Sequence, residues 1–220
     1  MAPGTLRAAA WVATWPALAG AGPQAPLRVR SSEAAAPCVR SAAAAYGKPV
    51  DVQAGPLRDD AATADVLVAA SGVEMTRALE SGRAVQGTEV DVARIPWVLS
   101  VPRGNPEGLA ALKDLSRPGI EVVVLGGPAA YQARRALGAV APGRLRETTD
   151  AEVLRYARVA VVPLSLAGAG ERIAVDLPAL EARAAVAEGT PRAGEAAAFV
   201  RFLGAEEGQR AFAGCAAPAR

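Results

Sequence analysis

Histidine is absent from the 220 residues of this chain. That removes the side chain most often used near neutral pH as a general base and as a metal ligand. Only two cysteines are present, and two thiols without a histidine make a poor zinc set. Neither Gly-x-x-x-x-Gly-Lys-Ser/Thr nor Gly-x-Gly-x-x-Gly occurs, so two common phosphate-cradling loops are excluded. Aromatic residues make up 4% of the chain, and its core therefore rests on many small contacts rather than a few large anchors. A formal net charge of +2 gives no electrostatic footprint for nucleic acid or an anionic membrane surface. No stretch reaches the roughly 18 apolar residues of a spanning helix. The acidic pair Asp59-Asp60 is most simply a solvated loop. No catalytic constellation, metal site or cofactor site emerges, and an enzyme is not expected.

What is present is a succession of short apolar runs separated by glycine, proline and serine. Leu27-Arg28-Val29-Arg30, Val50-Asp51-Val52-Gln53 and Ala64 to Ala69 read as strands, as do Ile120 to Leu125 and Val159 to Val162. Helices are expected over Ala34 to Tyr46 behind the cluster Ser31-Ser32-Glu33, over Glu74 to Glu80 behind Ser71, and over Glu107 to Leu115. Three more are expected over Ala129 to Leu137, Ala151 to Tyr156 and Arg192 to Leu203, the last with Ala196, Phe199, Val200 and Leu203 on one face, and Glu207 to Phe212 adds a final turn. Strands alternating with helices through short turns predict an α/β fold, with mostly parallel sheets covered on both faces.

Ile95 to Pro102 organises this succession. It is an apolar run with β-branched residues, carrying Pro96 at one end and Pro102 at the other. Proline removes a ladder donor and fixes φ, so the run reads as a short strand with stiffened ends. Such a strand suits the crossover between two α/β halves, although an ordinary buried strand of one domain fits the same residues. The two-lobed reading assigns residues 27–96 and 181–220 to one lobe and 97–180 to the other, with Leu180 to Val186 returning to the first.

At the N-terminus, Arg7 precedes the acid-free apolar stretch Ala8 to Leu18, and Ala19-Gly20-Ala21 offers small residues for cleavage. Residues 1–21 are read as an export signal; an Ala/Pro/Gly tail is the alternative, because Pro16 interrupts the run. In an exported chain an even cysteine count favours a disulfide between Cys38 and Cys215, rather than two unrelated buried thiols.

The turns at the carboxyl ends of the expected parallel strands carry Ser31-Ser32, Gly55, Ser71, Gly126-Gly127 and Ser165. Ligands of open α/β sheets bind at such turns. Helix N-termini there offer free amides to an anion, and serine hydroxyls add donors without charge. Each serine could equally cap only its own helix.

The chain also resembles the periplasmic molybdate/tungstate-binding proteins of ABC importers over about residues 27–215. The matching stretches are Ala64 to Ala69, Val98 to Pro106 with Leu112-Lys113-Asp114-Leu115, Ala196 to Leu203, and Glu207-Gly208-Gln209. The resemblance implies a type II periplasmic-binding fold, two-lobed with a ligand cleft between the lobes. It also implies a small oxyanion as ligand, a membrane ABC permease as partner, a monomer without nucleic acid, and a periplasmic or extracellular location. It adds Tyr131 to the ligand candidates. The ligand loops depart from the pattern: Glu33 follows Ser31-Ser32, only Gly55 of a Gly-Ser element remains, and Ser165 stands near a lost tyrosine. Arg58 could bring a positive charge. A degenerate binding fold, used as an extracytoplasmic interaction or sensory module, is the alternative function.

Overall fold

A computed structural model describes residues 25–57 and 63–218. The expected export signal at 1–21, Arg58 and Asp59-Asp60 lie outside these residues. Among those described, no helix is long and apolar enough to cross a membrane.

Two open sheets organise the described residues. The six-stranded sheet has the order β11-β4-β10-β3-β1-β2, built from β1 (Leu27–Ser31), β2 (Val50–Ala54), β3 (Val66–Ala69), β4 (Val90–Ile95), β10 (Leu180–Val186) and β11 (Ala217–Pro218). The five-stranded sheet has the order β7-β6-β8-β5-β9, from β5 (Trp97–Val101), β6 (Val122–Leu125), β7 (Leu145–Thr148), β8 (Ala160–Pro163) and β9 (Glu171–Ala174). Both sheets are mixed. Each keeps a parallel trio, β2-β1-β3 in one and β7-β6-β8 in the other. Antiparallel partners complete them: β10 lies against β3 and β4, and β5 lies between β8 and β9.

A single residue, Pro96, separates β4 of one sheet from β5 of the other. Its missing N–H cannot continue a ladder, and its carbonyl accepts the Leu164 amide at 2.8 Å. The chain returns through residues 175–179 into β10. All five residues of β5 are buried, which follows from its place between two strands with helices on both faces.

Among the described residues, six helices flank the sheets: α1 (Ala36–Ala45), α2 (Gly72–Glu80), α3 (Tyr131–Val140), α4 (Ala151–Tyr156), α5 (Ala193–Gly204) and α6 (Glu206–Ala211). The apolar face expected of α5 is its buried face, with Ala196, Phe199, Val200 and Leu203 all inside. Tyr46 meets Phe199 edge-on and Phe202 at a tilt, with centroids 4.9 Å apart in both cases. The sulfurs of Cys38 in α1 and Cys215 are bonded, with Cα atoms 5.6 Å apart across 177 residues of sequence.

Two helical expectations are corrected. The stretch Glu107 to Leu115 is no helix; only a 3-10 turn at Leu112–Ser116 forms. Asn105 holds both the amide and the carbonyl of Leu109 with its side chain, and Asp114 accepts the amides of Ala110 and Ala111. These side-chain bonds satisfy backbone groups that a helix would need. The serines 31 and 32 do not cap α1 with their hydroxyls either. Its N-cap is Ala35, without a side-chain bond, and the Ser32 carbonyl receives the amides of Ala35 and Ala36.

Candidate functional site

The hydrogen bonds at the carboxyl ends of β1, β2 and β3 gather three of the expected turns. The Ser32 amide donates to Val68 O at 2.9 Å, and the Ala70 amide donates to Ser32 Oγ at 2.7 Å. The Gly55 amide donates to Ser31 O at 2.9 Å. Ser31 is fully buried and its hydroxyl donates to Ser32 O at 3.3 Å. Ser71 caps α2, its hydroxyl accepting the Glu74 amide at 3.3 Å.

The five-stranded sheet contributes its own turns. Gly126 follows β6, and its amide donates to Thr148 O at 2.7 Å. Gly127 has a φ of 89°, a left-handed value that costs glycine little, and swings the chain into the 3-10 turn Pro128–Ala130 ahead of α3. Tyr131 opens α3 and is 59% exposed. Ser165 follows β8 in the turn Leu164–Leu166.

The two sets of turns face each other. Ser165 Oγ donates to Ala34 O at 2.6 Å, α1 packs on the turn 164–166, and α2 packs on the turn 128–130. Hydrogen bonds thus join Ser31, Ser32 and Gly55 with Ala70 into one wall, and Ser71 follows Ala70 in the chain. Ser165 and the Gly126-Gly127 turn stand on the other side. The starts of α1 and α3 carry no side-chain cap; backbone carbonyls take their first amides instead, Ser32 O that of Ala36 and Pro128 O that of Tyr131. A groove of about 960 Å³ lies elsewhere, lined by Val90, Gly204, Gln209 and Arg210 among others, and contains none of these polar residues.

Two charged side chains at this site were missed in the sequence. Arg30 lies against Gly55: its Nε donates to Pro56 O at 3.3 Å, and a Cβ on Gly55 would fall 2.7 Å from its Nη2. Gly55 is therefore required for close approach as well as for its φ of 148°. Alternation along β1 places Arg30 beside that turn, but pairing with β2 was needed to see it. The second is Glu74, for which a signal existed. Ser71-Gly72-Val73-Glu74 has the spacing in which a helix-capping serine and an acid exchange bonds with backbone amides. Burial pushes the Glu74 carboxyl above its ordinary range, only partly offset by the Ala70 amide, the Ser71 hydroxyl and amide, and the Arg77 charge.

No curated protein matches the chain in sequence. Solved structures do match its fold. PEB3, a Campylobacter jejuni protein seen bound to L-phospholactate, superposes with a TM-score of 0.70 at 16% identity, over 86% of this chain and 98% of that one. The periplasmic molybdate-binding protein of Azotobacter vinelandii gives 0.70 at 16% identity, over 86% and 97%. The sulfate-binding protein SubI of Mycobacterium tuberculosis gives 0.70 at 16% identity, over 87% and 85%. These likenesses establish a periplasmic-binding-protein fold, in agreement with the resemblance carried by the sequence. The family model of bacterial extracellular solute-binding proteins matches residues 27–214. By that match, the chain belongs to the bacterial extracellular solute-binding protein family, whose members bind solutes and are not enzymes.

Proposed function

We propose that the protein captures a small tetrahedral oxyanion, of the class to which molybdate and tungstate belong, and delivers it to an ABC importer at the membrane. Residues 27–96 with 181–220 form one lobe in this reading and 97–180 the other, and the ligand lies between them. One observation carries the proposal: polar turns from two separate sheets meet, joined by the hydrogen bond from Ser165 Oγ to Ala34 O. The partial positive charge of helix N-termini and the serine hydroxyls suit an anion, and Ser31, Ser32, Gly55, Ser71, Gly126, Gly127, Tyr131 and Ser165 are the proposed contacts. Binding shifts the lobes toward closure only through tighter contact in the closed state. The protein acts outside the cytoplasmic membrane, as a monomer.

A second reading has its own support. Ser32, Ser71 and Ser165 already spend their hydroxyls within the chain, as a cleft that has become an interaction surface would. Titration with molybdate, tungstate, sulfate and phosphate decides between them. Trp97, 2% exposed at the crossover, reports lobe movement by fluorescence, and the melting temperature reports binding. A response to at least one ion supports transport; silence toward all four leaves the interaction module.

A further inference from the structure

The strands β6 and β8 run parallel, and their carboxyl ends lead to the Gly126-Gly127 turn and to Ser165. Their amino ends form a different place. We infer that the pocket at those amino ends is a second binding site, for a free α-amino acid with a large apolar side chain. It lies at the far end of the sheet from the polar turns, so the inference goes beyond the oxyanion reading and does not depend on it.

The pocket is built by the sheet and one helix. Ile120 and Glu121 lead into β6, Arg158 and Val159 lead into β8, and α4 packs on β6, β7 and β8. Val153 and Tyr156 stand three residues apart on α4 and so share a helix face. Val123 of β6 and Arg146 of β7 are register partners and so share a face of the sheet. These residues line an open pocket of about 640 Å³, a usual size for a small-molecule site.

Its lining has three chemical parts. Ile120, Val123, Val153 and Val159 give an apolar wall, and Tyr156 adds an aromatic ring that is 77% exposed. A ring left so open offers both area and a stacking surface to an apolar group. Four charged side chains also line the pocket. Two of them, Glu107 and Arg158, satisfy each other in an ion pair. The other two are Arg146 and Glu121, both exposed. Among the described residues neither has a partner for its charge, and they do not pair with each other. Arg146 lies beside Val123 and Glu121 two residues before it, so the opposite charges flank one apolar side chain.

That combination selects among ligands. A purely apolar molecule would leave both charges unused. An apolar carboxylate would meet Arg146 but bring its own negative charge toward Glu121, and an apolar amine would have the converse fault. A zwitterion meets both: its carboxylate accepts from the Arg146 guanidinium, which can offer two parallel N–H donors, and its ammonium donates to Glu121. The side chain then covers the wall formed by Val153, Val159 and Tyr156. A free amino acid such as phenylalanine or leucine carries all three features on one α-carbon, whereas a residue within a peptide chain has lost both charges.

The test is isothermal titration calorimetry with L-phenylalanine and L-leucine on the wild-type chain, Arg146→Gln and Glu121→Gln. Both amino acids should bind the wild type with a Kd of about 1 mM or tighter. Each substitution removes one charge-assisted hydrogen bond and should weaken binding about tenfold or more. On the wild type, 3-phenylpropanoate, 2-phenylethylamine and glycine each lack one of the three features and should bind about tenfold more weakly than phenylalanine. No heat from either amino acid at concentrations up to about 10 mM would overturn the inference. So would an affinity that neither substitution changes, since the ligand would then sit elsewhere, the interlobe cleft included. Binding of 3-phenylpropanoate as tight as that of phenylalanine would remove the zwitterion from the assignment and overturn it too. The ligand series on the wild type decides even if a variant folds poorly. Molybdate titration of both variants should match that of the wild type, so the oxyanion reading stands or falls separately.

Discussion

Ser165 Oγ donates to Ala34 O at 2.6 Å across 131 residues of sequence, joining the turn after β8 to the segment between β1 and α1. The bond spans the two sheets and uses a residue proposed to face the ligand. Without it, the sheets at this point are held by the packing of α1 on the turn 164–166 and by the two chain crossovers. Ser165→Ala should lower stability by about 1 kcal/mol, the net worth of one such bond. It should also widen the ligand-free molecule. Small-angle scattering gives the radius of gyration, and an unchanged value would show that the bond does not hold the sheets together.

The bridge between Cys38 and Cys215 ties α1 to the end of the chain, next to α6. It closes nearly the whole described sequence into one loop. Cys38→Ser and Cys215→Ser should each cost about 2–5 kcal/mol, and the double variant no more than either alone, because one bond is lost in every case. Thermal melting with and without reductant checks this. A wild-type melting curve indifferent to reductant would mean that the bond contributes nothing in solution.

Much of the fold could be read from residues, for reasons visible in the structure. β3, buried throughout, and β1, buried at alternate positions, carry patterns that need no tertiary knowledge. The same holds for the α5 stripe and for the strand bounded by Pro96. Of the strands that escaped notice, β7 and β9 lie at sheet edges, whereas β4 lies between β10 and β11. β7 (LRET) and β9 (ERIA) contain no fully buried residue, so hydrophobic alternation had nothing to mark. The region after Asn105 misled in the opposite way: Leu109, Leu112 and Leu115 have helical spacing, yet Asn105 and Asp114 take the backbone groups for themselves. At the site, the serine and glycine turns were legible as strand ends. Their mutual bonds were not, since Ser165 meets Ala34 only through packing between sheets. Arg30 stayed hidden because its place depends on the neighbouring strand, and Glu74 because a capping acid reads as surface until something buries it.

Asp65 is a second carboxylate whose surroundings make a claim about stability. It is fully buried and accepts the Arg28 amide at 2.8 Å and the Thr190 hydroxyl at 2.7 Å, with the charges of Arg28 and Arg192 nearby. Burial pushes its carboxyl up, but these bonds and charges outweigh it and hold the group below its ordinary value. Asp65→Ala leaves two part-buried donors without their acceptor and should cost about 2 kcal/mol at neutral pH. A lowered folded-state value means that stabilisation is present above the ordinary carboxylate range and is lost as the pH falls through the folded value. The gap between wild type and variant in urea melts should therefore shrink in acid. A gap constant from pH 7 to pH 3 would show that the ionised form has no special standing.

Glu74 should behave with the opposite sign. Its carboxyl is held above the ordinary range by burial, so the folded chain binds its proton more tightly than the unfolded chain does. Stability from this group is complete below the unfolded value and declines as the pH rises through the folded one. At pH 7 the ionised, part-buried carboxylate is thus a net cost, and Glu74→Gln should melt at a higher temperature than the wild type. As the pH falls toward 4 the wild-type group becomes neutral and the two melting temperatures should converge. The charges that bear on Glu74 from its own helix come from Arg77; on β10, against which α2 packs, Arg183 is paired with Asp91 and Glu181 is exposed. β3 carries no charged residue. Glu74 itself is then the group whose titration sets the slope. Melting of wild type and variant in parallel from pH 4 to pH 8 measures it, and a variant less stable than wild type at pH 7 would mean that the bonds to Ala70 and Ser71 outweigh the cost of burial.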